Sequence, residues 1–212
     1  KQDTTRMTLR AGVINGPKNP QFSFTTILTG EIRDRDAELI AEYKNGKGET
    51  GVLLGVNARP LVGGRGKGDG LAFTLIPAEP IIAFRKFHFN ENHNWIYLHK
   101  NMRVYANVDM WDDEGMGFRV HSVEGDTVSL QNIDVEIRRI RLDEITSVLP
   151  YFPEITGLFS AEAHYIQTEK DLQLSAEASI DELTYERQRI GDVTLGATWL
   201  PGEQGNPVSY TH

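Results

Sequence analysis

The chain contains no cysteine, which excludes disulfides, thiolate metal ligands and cysteine nucleophiles together. It also lacks any apolar run near the ~18 residues that a membrane-spanning helix requires. The opening Lys-Gln-Asp-Thr-Thr has neither an initiator Met nor the apolar stretch of a signal peptide, so the chain reads as a soluble fragment cut from a longer protein. Positive charge is in deficit. Twenty-two Lys and Arg against thirty Asp and Glu leave a formal charge of -8, a field that repels phosphate backbones and argues against DNA or RNA as partners. No serine sits in a Gly-x-Ser-x-Gly elbow.

What the 212 residues do contain, enough for one large or two small domains, is alternation. In Met7, Leu9, Ala11, Val13, in Phe22, Phe24, Thr26, Leu28, and in Val104, Ala106, Val108, Met110, every second residue falls on one face. The same holds for Leu172, Leu174, Ala176, Ala178, Ile180 and for Val193, Leu195, Ala197, Trp199. Period two predicts β-strands with one apolar face. Strands are predicted over 7–14, from 22, over 37–43, 51–56, 71–76, 80–89, 95–98, 102–110, 117–122 and 127–131. Beyond residue 157 they are predicted over 158–167, 172–180, 183–185 and 193–200, with loop to the end. Asn45-Gly46 suits the positive φ angles of a tight hairpin. Polar Asn90 to Asn94 separates two strands. Over 141–149 the spacing turns helical, with Leu142, Ile145, Val148 and Leu149 on one side, Asp143 near the start and Pro150 as the stop. The result is an all-β, mostly antiparallel chain with one short helix. It divides into 1–70, ending in a Gly-rich loop, and 71–212.

Candidate chemistry is sparse. Gly63-Gly64-Arg65-Gly66-Lys67-Gly68-Asp69-Gly70 resembles a phosphate loop in composition, but Ser or Thr does not follow the lysine and no helix does, so it reads as a surface loop. His88, His93 and His99 match no metal-ligand spacing, with only Glu91 nearby. His121 and His164 stand alone. Asp112-Asp113 and Asp143-Glu144 read as solvated charges at a turn and a helix start. No catalytic constellation and no cofactor site emerge. The apolar face itself is what remains. It is either the core of a closed β-sandwich, as in an adhesion or protein-interaction module, or a trough for a hydrophobic guest. Ala161, Ala163, Ala176, Ala178 and Ala197 would leave room for a guest, or let two sheets approach closely.

The phrase Val148-Leu149-Pro150-Tyr151-Phe152-Pro153-Glu154-Ile155-Thr156-Gly157-Leu158, followed by Leu183-Thr184-Tyr185 and Ile190-Gly191-Asp192-Val193-Thr194-Leu195, resembles the TamB (translocation and assembly module) family in its Bacteroidetes versions. The similarity extends over roughly 70–200 and includes Val104-Tyr105-Ala106-Asn107-Val108-Asp109. It implies a curved, taco-like sheet with a hydrophobic groove. It further implies a periplasmic section of an envelope protein anchored in the inner membrane, with a BamA/TamA-like outer-membrane barrel as partner. The implied role is lipid transport or outer-membrane protein assembly, without enzyme activity. On that reading, phospholipid acyl chains would contact Val104, Ala106, Val108, Met110, Leu172, Leu174, Ala176, Ala178, Ile180, Val193, Leu195 and Ala197. Open strand edges also suggest edge-to-edge dimers of the fragment.

Overall fold

The structure is a computed structural model and describes residues 4–13, 24–62, 69–123, 126, 128–148, 152–200 and 208–211. The strands are β1 (Thr4–Val13), β2 (Phe24–Arg33), β3 (Asp36–Asn45), β4 (Thr50–Leu61), β5 (Gly70–Ile82), β6 (Arg85–Lys86) and β7 (His88–His99). They continue with β8 (Val104–Trp111), β9 (Gly117–Ser122), β10 (Gln131–Arg141), β11 (Ile155–Gln167), β12 (Leu172–Tyr185), β13 (Gln188–Trp199) and β14 (Val208–Thr211). The helix α1 spans Leu142–Ser147. All strands join one curved, open antiparallel sheet whose spatial order follows chain order, with the two-residue β6 pairing only with β5. Pairing of β4 with β5, down to Leu61 opposite Gly70, carries the sheet without interruption from 1–70 into 71–212.

Register decides what shares a face. Thr5, Ile32, Ala37, Ala58, Phe73, Ile96 and Ala106 oppose one another in turn from β1 to β8. Val108, Val120, Val135, Ala163, Ala176 and Ala197 continue the ladder from β8 to β13. Ala106 and Val108 are two residues apart on one strand, so both rows belong to one apolar face that crosses the whole sheet. The opposite face carries Asn107, His121, Asp134, His164, Ser175 and Thr198 in the same ladder fashion.

Curvature has a visible source in the backbone. Arg139, Gly157, Glu182 and Gly191, with φ of 51°, 142°, 54° and 101°, fall at or beside the register shifts of β10, β11, β12 and β13. Each shift is a bulge that bends its strand and raises local twist. Near the same end of the strands, Phe87, Met110 and Met116 form a buried cluster, with Ile82, Phe89, Phe118 and Ile140 packed against it. Arg85 lies beside this cluster and ties three distant segments together. It bonds Glu144 of α1 side-on through Nε and Nη2 (Nη2 to Oε1 2.7 Å), and through Nη1 it reaches Asp112 at 3.1 Å and Glu114 at 3.0 Å.

Several expectations need correction. The 45–50 turn is wider than a two-residue hairpin: Asn45 Oδ1 accepts from the amides of Lys47 and Glu49, and Gly48, at φ 83°, supplies the left-handed residue. Residues 90–94 do not separate two strands but run inside β7, because the Asn94 amide replaces ladder bonds by pairing with both backbone groups of Leu75 at 2.9 and 3.0 Å. The described part of 127–131 is not a strand before Gln131. There Asp126 accepts from the amides of Val128 and Ser129 and from Asn132, which turns the chain instead. The segment 183–185 is the end of β12, and β14 pairs with β13 where loop was expected. The helix is shorter than 141–149, ending at Ser147. Of the Gly-rich loop, 63–68 lies outside the described residues, as do Leu149 and Pro150. Gly70 sits in β5, where a Cβ would stand 2.1 Å from the Leu98 carbonyl oxygen, so only glycine lets β7 approach that closely.

Candidate apolar groove

The apolar face is covered unevenly. Along β8 it is packed, with Ala106, Val108 and Met110 at 2, 1 and 6 % exposure. Toward β1 it is open, with Met7 at 62 % and Leu39 at 46 %. Between these extremes runs a groove of about 710 Å3 reaching from Thr5 and Met7 of β1 to Val108 of β8, lined chiefly by Ile32, Leu39, Val56, Phe73, Leu75 and Ile96. Its size falls among pockets of roughly 300–1,000 Å3 that enclose one small ligand. Every lining strand contributes through its even alternation, and the small Gly30, Ala37 and Ala58 leave the space that larger side chains would fill.

The groove occupies the half of these strands nearest the β2–β3 turn and the 99–104 turn. At the other end of the strands stands the Phe87 cluster with the Arg85 clasp. The Glu144 and Glu114 carboxylates hold the Arg85 guanidinium well above its ordinary pKa, so the clasp stays charged throughout the working range of pH. Asp112, expected in solvent, is instead buried at 4 % and accepts the amides of Glu114 and Met116. Glu144 faces Arg85 rather than open water.

The twelve residues expected along the apolar stripe share this face by register, but the sheet distributes them widely. Val108 borders the groove; Ala106 and Met110 are buried beside it. Val104 opposes Leu98 on the same face. Leu172, Leu174, Ala176, Ala178 and Ile180 of β12, with Val193, Leu195 and Ala197 of β13, form a second apolar patch at the far side of the sheet. Leu174 and Leu195 remain 37 and 50 % exposed there. Most of the groove lining, from β1 to β7, was missed by sequence reasoning. Alternation was present in Leu75, Phe73 and Ala58, Val56, yet nothing local says that these strands meet.

The histidines take separate places. His88 Nε2 lies 3.2 Å from Asp113, and His99 is buried edge-on against Tyr105. His121 and His164 do not stand alone: Asp134, on the strand between them, receives His121 at 3.3 Å and a close contact from His164 Nδ1. Among the described residues, no group of three acidic or histidine side chains is placed to hold a metal ion. Comparison of the chain with protein-family models, with curated proteins and with solved structures returns no match.

Proposed function

We propose that this chain is a non-enzymatic section of an envelope protein that shelters lipid acyl chains on its concave apolar face, in the service of lipid transport between membranes or of outer-membrane protein assembly. The observation that carries the reading is the 710 Å3 groove on an apolar face left open to solvent, in a sheet with no second layer over it among the described residues. A closed sandwich would bury Met7, Ile32 and Leu39, which here stand 46–62 % exposed. The resemblance of 70–200 to the TamB family supplies the cellular setting: the periplasm, a membrane anchor elsewhere in the protein, and a barrel partner reached through the whole protein.

The energetics suit weak, repeated contact. Burying about 200 Å2 of chain surface against such a face is worth on the order of 5 kcal/mol before entropic costs. Rows of Leu, Ile, Val and Ala offer many similar contacts and no single deep anchor, so a guest can be shielded without being trapped. The test places a photo-crosslinking amino acid at Leu39, in the groove, at Leu174, on the second patch, and at Asn57, on the opposite face. After ultraviolet exposure with envelope lipid extract, Leu39 and Leu174 should acquire lipid mass and Asn57 should not. Native mass spectra free of lipid, together with no adduct at Leu39, would sink the proposal.

A further inference from the structure

We infer that the open edge of β1 is a pairing surface for a second copy of this chain, β1 meeting β1 antiparallel about a two-fold axis at Leu9. β1 ends the path of the sheet, with β2 on one side and no strand on the other among the described residues. Its ten residues pair with β2 from Thr4 to Val13 without a register shift, so alternate residues turn their N–H and C=O groups straight out toward the edge. Proteins commonly blunt such an edge with proline, lysine, a bulge or a very short strand. Thr-Thr-Arg-Met-Thr-Leu-Arg-Ala-Gly-Val has none of these. Arg6 is drawn sideways onto Glu31 of β2 at 2.6 Å, and Met7 and Leu9 stand 62 and 61 % exposed on the apolar face. The opposite end of the sheet is a poorer partner. β14 has four residues against the ten of β1, and a head-to-tail contact of the two would build an open filament instead of a closed pair.

Charge and side-chain pattern select the register. Setting the axis at Thr8 places Arg6 opposite Arg10 twice, and setting it at Arg10 places that arginine opposite itself, both unfavourable because like charges then face each other directly. An axis at Met7 keeps the arginines apart but leaves residues 11–13 unpaired. A shift by one residue sets apolar side chains against polar ones. With the axis at Leu9, Leu9 meets Leu9, Met7 meets Ala11, Arg10 meets Thr8 and Arg6 meets Gly12. No like charges are opposed. An axis normal to the sheet keeps both apolar faces on one side, and Met7, where the groove reaches the edge of the sheet, gains a neighbour in Ala11 of the second copy. The pairing is made chiefly by backbone groups, so it does not depend on what the groove holds.

The experiment is sedimentation equilibrium of the purified chain in lipid-free buffer at rising concentration, with three variants at Leu9 and one at Thr5. The mass should climb from 23.8 kDa toward twice that value. Leu9→Lys and Leu9→Glu should each hold the mass of one chain, because each sets two like charges face to face on the axis. Mixed one to one, they should pair again, since Lys then faces Glu; this recovery also shows that both variants fold. The chain has no cysteine of its own, so Leu9→Cys under mild oxidation should close a disulfide between copies. Thr5→Cys should not, because the two Thr5 positions lie about 27 Å apart in this register and a disulfide needs Cα atoms within about 7 Å. A mass of one chain that persists to about 1 mM, where even a millimolar Kd would show, overturns the inference. So do a dimer that survives Leu9→Lys, which places the contact elsewhere on the molecule, a mixture of the charged variants that stays monomeric, and disulfides that form equally at Thr5 and Leu9.

Discussion

Truncating Leu39 and Phe87 to alanine, one at a time, measures whether the apolar face is open in solution. Phe87 is 2 % exposed inside the cluster with Met110 and Met116, so its truncation leaves a cavity that its neighbours fill only in part. Such changes cost about 3–5 kcal/mol. Leu39 is 46 % exposed in the groove. Full burial of a leucine is worth about 1.5–3 kcal/mol, so roughly half of that, about 1 kcal/mol, is at stake, and solvent refills the space without a cavity term. In a chain of this size each kcal/mol moves the melting temperature by about 2–4 °C. Phe87→Ala should then lower Tm by about 6–20 °C and Leu39→Ala by no more than about 4 °C, with urea midpoints in the same order and unchanged slopes. The refuting result is parity. If Leu39→Ala costs as much as Phe87→Ala, something covers the face in solution, and the groove is a core after all.

Arg85→Gln should destabilise the chain by about 2–4 kcal/mol, because it leaves the largely buried Asp112 without its cation and Glu144 with only Arg141, at 3.1 Å; chemical denaturation of the purified variant measures it, and a change below about 0.5 kcal/mol would show the clasp to be ornamental. Asp126 is held well below the usual carboxylate range, first by the Asn132 amide and then by the Ser129 and Val128 amides. Its contribution is therefore present above the unfolded value near pH 4 and declines as the pH falls below that value. The Tm gap between the parent chain and Asp126→Ala should be constant from about pH 5 to 7 and narrow below about pH 4; a gap that widens on acidification would contradict the assignment.

Alternation made the fold class legible, because period two survives any choice of partner strand. Strand ends were less legible wherever a polar side chain acts as backbone. Asn94 lets a polar run stay inside β7, while Asp126 takes the amides that residues 128 and 129 would have given to a ladder. The site was harder still. That Asp134 would lie between His121 and His164, or that Leu39 would stand next to Val56 and Val56 next to Leu75, depends on register between strands. Register is set by turns and bulges, such as the one at Gly48, whose geometry a pattern of apolar residues does not encode. Arg85 shows the same limit: Glu144, its partner beside the Phe87 cluster, is 59 residues away in sequence.

Strand order that repeats chain order has a kinetic consequence. Each long strand finds its partner in the segment just made, so the sheet can zip up from its first hairpins as the chain emerges, without waiting for a distant segment to close a long loop. Stability then resembles a sum over neighbouring pairs, as in stacked repeats. Gain or loss of a hairpin would lengthen or shorten the sheet by two strands while the remaining pairs keep their register, which makes length the easiest property of this architecture to change.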